Sequence, residues 1–320
     1  MIHVPIYNLL MEDKDNIQLE KRWNTIGQCY SSYVSVNYQA AGMLMFNYID
    51  CTEASSILEI GCGDGTSSLD YILSKPPACR LILADISSLM LSITRRRVLG
   101  MKCLIDQRCV AGMKYRVIAE YSGMGDDFDG RKFSVPELNV DIIRADAEDF
   151  GQATIPDSSI DRIIAGQTLH LVNDPKRMLA ECLRILNPGG RAIFSVWGSK
   201  DNSYDFTLID DVKRELGIEP STARSSWHLN DRDKLIKMLQ DSGYENVTCW
   251  ETLNVFSIGT KEGRLTKIRF QLSGSLPKDN SELLEKAAEM VYAKQNDVIK
   301  NKNLPIALSQ LYVCGWRPSA

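Results

Sequence analysis

The chain has 320 residues, 44% hydrophobic and 24% charged, which suits one large globular domain with additions or two small ones. A net charge of −4 lacks the basic excess of a nucleic-acid surface, and no apolar run approaches the roughly 18 residues of a membrane span. Nine cysteines, scattered without a C-x-x-C pair, argue for free thiols in a reducing compartment and against a zinc knuckle; a cytoplasmic location and no metal are expected.

Residues 1–10 lack the basic start and small-residue cleavage site of a secretory leader. Residues 13–50 read as helices. Trp23, Ile26, Tyr30 and Tyr33 recur at helical spacing, and 39–49 continue as a second amphipathic helix. Residues 1–50 are therefore expected to form a helical cap on a domain filling 51–320. From Ser55 strands and helices alternate. Residues 57–60 read as a strand, 66–74 as its helix, 81–84 as a second strand closing on Asp85, and a helix capped by Ser87 or Ser88 follows through Arg97. The triplet Arg95-Arg96-Arg97 reads as a solvated helix face.

Residues 104–139 exceed the usual connection of about 2–6 residues and read as an insertion before the third strand. Asp129-Gly130 signals a hairpin there, with arms at 109–120 and 132–135. Residues 140–143 and 160–165 are further strands, and 175–186 form a helix with Pro175 in its first turn. Asn187-Pro188-Gly189-Gly190 reads as a sharp turn into a strand over 191–197. Residues 199–229, with a helix over 206–216, read as a lid. A helix over 230–242, a strand over 247–255, a helix over 281–300 and a closing strand over 304–314 complete the chain. Strands alternating with helices predict βαβ units, hence an α/β fold with a mostly parallel seven-stranded sheet and helices on both faces.

In such a sheet ligands lie across the C-terminal strand ends. The first strand runs through Glu59 into Gly61-Cys62-Gly63-Asp64-Gly65, where alternate glycines allow positive φ and close approach of a ligand. Thr66 stands where a dinucleotide fingerprint wants its third glycine. The second strand ends in Asp85, 24 residues past Gly61, suited to holding two ribose hydroxyls. The third ends in Ala145-Asp146-Ala147-Glu148-Asp149, and the fourth in Gly166-Gln167-Thr168-Leu169-His170.

The Glu-x-Gly-x-Gly-x-Gly run resembles the first motif of class I S-adenosylmethionine-dependent methyltransferases, a Rossmann-like fold. Leu83-Ala84-Asp85-Ile86-Ser87 followed by Met90, the Ala145–Asp149 run followed by Ile155-Pro156-Asp157, and Leu169-His170-Leu171-Val172 followed by Leu186-Asn187-Pro188-Gly189-Gly190 complete the set. Over residues 55–198 the chain is similar to the ubiquinone/menaquinone C-methyltransferases and their small-molecule relatives. The resemblance implies roles for single residues. Glu59 supports the loop and the cofactor's ammonium; Gly61 and Gly63 meet its methionine portion, Cys62 between them also belongs to the cofactor site, and Gly65 lets the next helix approach. Asp85 binds the ribose and Ile86 faces the adenine, which Asp146 and the Ala147 amide contact at its edge. Gln167 and Tyr30 line the methionine side. By spacing alone Tyr30 and Tyr33 also fit plain packing of the N-terminal layer, and Asp146 also fits a turn cap.

The implied activity, EC 2.1.1.-, is transfer of a methyl group from S-adenosylmethionine to a small-molecule acceptor, leaving S-adenosylhomocysteine. Such a displacement works mainly by proximity. His170, with an ordinary pKa near 6.5, suits a general base but equally a residue lining the pocket or holding its loop; His228 is the second candidate. Trp197, Tyr204, Phe206, Trp227 and Tyr30 would suit an apolar or planar acceptor. The alternative is a non-catalytic subunit of the same fold that binds a partner protein.

Overall fold

A computed structural model of the chain describes residues 16–106, 128, 130–151, 154–218, 225–256, 259–273, 276 and 280–319. Eight strands among these residues form one sheet: β1 (Ser56–Ile60), β2 (Arg80–Asp85), β3 (Lys132–Val135), β4 (Val140–Arg144), β5 (Ile160–Gly166), β6 (Leu186–Trp197), β7 (Glu245–Val255) and β8 (Ala307–Trp316). Their spatial order is β3-β4-β2-β1-β5-β6-β8-β7. Strands β4, β2, β1, β5 and β6 pair in parallel, while β3 runs antiparallel to β4 and β8 runs antiparallel to both β6 and β7. This is the expected Rossmann-like, mostly parallel sheet, with one strand beyond the seven expected.

The extra strand is β3. It folds back onto β4, from Lys132 opposite Ile143 to Val135 opposite Val140, through a turn in which Asn139 takes a φ of 51°. The sequence reading pairs 132–135 with 109–120, and the latter arm lies outside the described residues. The Pro188-Gly189-Gly190 turn is also corrected. It does not precede the strand but bulges out within β6, because Ile160 pairs with Leu186 and Arg162 with Arg191. Gly189, at φ 75°, uses its N–H to reach the Arg317 carbonyl at 3.0 Å.

Nine helices cover the sheet and its ends among the described residues: α1 (Asn16–Tyr33), α2 (Gln39–Tyr48), α3 (Ser68–Ser74), α4 (Ser88–Asp106), α5 (Pro175–Ile185), α6 (Tyr204–Glu215), α7 (Arg232–Asp241), α8 (Lys261–Leu272) and α9 (Ser281–Lys300). Helix α4 runs on to Asp106 instead of stopping at Arg97. Helix α8 is not foreseen from the sequence, because Gly263 sits in its first turn and charges surround Leu265, Ile268 and Leu272. Thr260 caps it, accepting from the Gly263 N–H.

The period-two side-chain alternation of the strands divides the core in two. Ile57, Leu81, Leu83, Ile142 and Ile193 pack on one face with Phe46 of α2 and Tyr71 of α3, whose rings stack at 5.2 Å. Leu58, Ile82, Ile143, Ile163 and Phe194 pack on the other with α5 and α7. A third cluster joins α6, α8 and α9 through Ile209, Val212, Leu265, Ile268 and Val291. No helix among the described residues is long and apolar enough to cross a membrane.

The chain leaves β1 for β2 on one side and returns to β5 on the other, so strand order reverses beside β1. A crevice outside the strand ends opens at such a point.

Candidate functional site

The glycine loop after β1 is pinned from three sides. Gly61 and Cys62 both donate their N–H groups to the Ala84 carbonyl, at 2.8 and 3.0 Å, which ties the loop to the end of β2. Asp85 accepts from the Gly63 N–H and the Ser87 N–H, each at 2.9 Å. From α4, Thr94 donates to the Gly63 carbonyl at 2.8 Å. Two of the glycines face opposite demands. A Cβ on Gly61 would stand 2.2 Å from Thr168 Oγ1, so the β5 loop requires glycine there. A Cβ on Gly63 would meet nothing within 4 Å, so that residue faces open space at a φ of 56°.

Arg97 supplies the remaining pin and corrects the reading of its triplet as a solvated face. Its side chain is fully buried. Nη1 pairs with the Asp64 carboxylate at 2.8 Å and donates to the Asp64 carbonyl and Thr66 Oγ1, while Nη2 donates to Ser31 Oγ of α1 at 2.8 Å. One guanidinium therefore holds both the loop and the helix above it. Asn24 fixes the middle of α1. Its Oδ1 accepts from Ser87 Oγ and the Leu89 N–H, and its Nδ2 donates to Ser88 Oγ. Glu20 pairs with Arg144 at the end of β4.

Between α1 and the strand ends lies a basin of about 740 Å³. Asp85, Ile86, Asp146 and Ala147 wall one side, Gly61, Gly63 and Gln167 the other, with Trp23 and Tyr30 above. A second basin of about 540 Å³ shares Tyr30, Gly61, Gly63 and Gln167 and continues past Glu59 and Cys62 to Tyr38 and Ser195. The structure thus brings together Tyr30, Glu59, Gly61, Cys62, Gly63, Asp85, Ile86, Asp146, Ala147 and Gln167. Gly65 stays behind the loop, facing Thr94.

Gln167 is the strained member, a non-glycine residue at φ 54°. Its N–H and Nε2 engage Ser195, but its buried Oε1 has no hydrogen-bond partner among the described residues. Glu148 links two strand ends, accepting from the Asn173 and Asp174 N–H groups. His170 is 3% exposed, its ring 6.0 Å from that of Trp197, and it is not among the residues lining either basin. His228 holds the Ser225 carbonyl through Nδ1 at 2.9 Å. Trp197, Phe206 and Trp227 are packed into one buried aromatic knot, and Tyr204 into the α6–α8–α9 cluster. Asn24, Tyr38, Arg97 and Thr168 are the site residues that sequence reasoning missed. Only Arg97 carries a signal, because it falls at helical spacing among Met90, Thr94, Val98 and Met101, all buried.

Burial dominates the electrostatics. It pushes the Glu59 carboxyl up to about 8, against the Ser68 hydroxyl donating to it at 2.5 Å, with Asp85 and Asp64 adding to the rise. Asp85 is pushed up to about 6 by burial despite its backbone donors. The Cys62 thiol and Tyr30 hydroxyl are raised for the same reason.

Two outcomes follow from this arrangement. Arg97→Met leaves Asp64 buried without its cation and should cost about 3–5 kcal/mol of stability in urea denaturation. A cost under about 1 kcal/mol would show that the pair is solvated. A carboxyl raised in the folded state lends stability that is whole below its unfolded pKa and fades as pH rises through its folded value. The protein without ligand should therefore lose up to about 2.5 kcal/mol through Glu59 between pH 6 and 8, near the limit of about 1.36 kcal/mol per unit. Glu59→Gln should flatten that fall, and an identical profile in the variant would place the effect elsewhere.

The chain resembles known proteins in sequence and in fold. A model of the family described as "Methyltransferase domain" matches residues 121–194. The ubiquinone/menaquinone biosynthesis C-methyltransferase of Cronobacter sakazakii is 28% identical over 121 residues, 34% of this chain and 47% of that protein. The chain thus spans about half the length of that relative. The demethylmenaquinone methyltransferase of Clavibacter sepedonicus is 25% identical over 203 residues, 60% of this chain and 66% of that protein. Among solved structures, phosphoethanolamine N-methyltransferase 2 of Haemonchus contortus superposes with a TM-score of 0.52 at 12% identity, covering 95% of this chain and 60% of its own. The cyclase SpnF superposes equally, at 0.52 and 16% identity, covering 97% and 99%. These last two are likenesses of fold. The chain is thus similar to the class I S-adenosylmethionine-dependent methyltransferases, distantly to their quinone C-methyltransferase group.

Proposed function

We propose that the chain transfers a methyl group from S-adenosylmethionine to a small-molecule acceptor. The observation that carries this reading is the buried, unpartnered Oε1 of Gln167, standing where the two basins meet and sharing their wall with the open face of Gly63. An orphaned acceptor in a strained residue is costly unless a ligand's donor satisfies it. The cofactor's ammonium is such a donor, and the backbone of Gly61 and Gly63 leaves room for its methionine portion.

The other residues fit the same ligand. A carboxylate offers about four acceptor positions; Asp85 accepts from the Gly63 and Ser87 N–H groups, and the Ile86 N–H also faces it. The remaining acceptor capacity suits a ribose hydroxyl. Ile86 then lies against the adenine, with Asp146 and the Ala147 amide at its edge, while Tyr30 closes the methionine side and Glu59 backs the loop. When bound, the cofactor supplies a methyl already activated on a sulfonium. The work left to the chain is to exclude water, which α1 does from above, and to bring the acceptor in line from the second basin.

A base is needed only for an acceptor that keeps its proton. The burial of His170 beside Trp197, off both basin walls, favours a role in holding the β5 loop over one in proton transfer.

Asp85→Ala removes one or two charge-assisted hydrogen bonds of roughly 1.5–3 kcal/mol each. Calorimetry should show S-adenosylhomocysteine binding at least about tenfold weaker, and an unchanged affinity would put the ribose elsewhere. No heat at all with the wild type would sink the enzyme reading. His170→Ala should keep its rate within about tenfold, whereas a loss of 10²–10⁴ would restore the histidine as general base.

A further inference from the structure

A third, smaller recess, of about 270 Å³ including the solvent at its mouth, lies among α6, α8 and α9. Asp205, Phe256, Arg264, Lys267 and Gln295 wall it. The Phe256 ring stands edge-on to that of Tyr38 at 6.1 Å, and Tyr38 in turn lines the second basin of the cleft. The two spaces are therefore separated by a layer of paired aromatic rings.

The chamber's charges do not cancel. Lys267 pairs with the buried Asp205 at 2.8 Å and lies 3.9 Å from the centre of the Phe256 ring. Arg264 has only neutral partners. Its Nε and Nη2 donate to Gln295 Oε1, its Nη1 donates to Asn296 Oδ1, and its guanidinium lies 4.4 Å over the Tyr292 ring. Among the described residues no carboxylate pairs with it. A guanidinium carries five N–H donors, and three are used here. The two that remain are one on each terminal nitrogen, donors that a carboxylate or phosphate oxygen can accept. Burial opposes the Arg264 charge, so an anion arriving beside it is favoured. In a chain of net charge −4 this positive spot is local.

We propose that this chamber is the far end of the methyl-acceptor site and that the acceptor bears an oxyanion, a carboxylate or a phosphate, received by Arg264. Tyr38 and Phe256 form the partition past which the acceptor's body reaches the cleft. The label of acceptor rests on the methyl-transfer reading; the anion site does not. Lys267, already neutralised by Asp205, sets the width of the chamber, and Gln295 holds the guanidinium edge-on.

The test is calorimetric titration of the full chain with benzoate, phenyl phosphate and benzamide, each with and without saturating S-adenosylhomocysteine. At least one of the two anions should bind, with benzamide at least tenfold weaker, and the preferred anion identifies the oxyanion. Arg264→Gln should weaken the anion at least tenfold while S-adenosylhomocysteine affinity stays within twofold, which also reports an intact fold. Arg264→Lys, which keeps the charge, should recover part of the binding. Absence of anion binding, equal binding of benzamide, or indifference to Arg264→Gln would each overturn the proposal. Failure of S-adenosylhomocysteine to bind would remove the methyl-transfer reading alone, because the titrations without it still report the chamber.

Discussion

The buried contact between Arg97 and Asp64 is the constraint from which the site's geometry follows. A loop with glycines at φ 68°, 56° and 75° has little conformational preference of its own and must be held by its surroundings. Strand β2 holds one end through Ala84 and Asp85, and α4 holds the other through Thr94 and Arg97. Because the same guanidinium also reaches Ser31, the covering helix α1 and the loop beneath it are tied into one unit. Ser35 adds a second tie, with its hydroxyl 3.1 Å from that of Thr66. A buried charge with this many partners is kept in register by its geometry, and a shift of α1 would break the loop's contacts as well as its own.

The charge balance at the loop has a direction. Glu59, Asp64 and Asp85 gather around it, and Arg97 is the buried cation set against them. Burial raises the carboxyls of Glu59 and Asp85, and the acids gathered beside them add to the rise. A ligand bringing positive charge favours their ionised forms, so binding and proton release are linked. On the methyl-transfer reading, the same carboxylates favour the sulfonium reactant over its neutral thioether product. Burial enlarges that difference, since charges interact more strongly away from water.

Much of the frame was legible because it is written in short-range patterns. Period-two alternation with glycine and acid at strand ends is a local signal, and it places β1, β2, β4, β5 and the residues at their tips. What escaped depends on partners distant in sequence. Arg97 looks solvated in a run of three arginines until its position on the apolar stripe of α4 is weighed, and its partners lie 31 to 66 residues away. Nothing local marks Asn24, whose role is to cap α4 from another helix. The aromatics Trp197, Phe206 and Trp227 invited a substrate role, yet they are buried against one another, and no composition argument separates these outcomes. Gly189 and Gly190 show the reverse error, where a strong turn signal marks a bulge inside a strand.

Fold alone does not name the reaction, as the equal likeness to a methyltransferase and to a cyclase makes plain. Topology nevertheless says which segments border the strand ends. Strand β8 runs against β6, and β7 runs against β8, so β6 and β7 point the same way as β1, β2 and β5. The segments that leave β6 and β7 therefore emerge on the edge that carries the glycine loop. Helix α6 follows β6, and helices α8 and α9 follow β7, which delivers all three to the site by connectivity rather than by chance packing. Their shared apolar cluster makes them a unit, and Tyr38, pressed against Phe256, is where that unit meets the cleft. Residues such as Arg264 and Lys267 can thus change without disturbing the loop, Asp85 or Gln167. On the methyl-transfer reading, that separation keeps the cofactor's holders apart from the acceptor's and places the choice of acceptor in α6, α8 and α9.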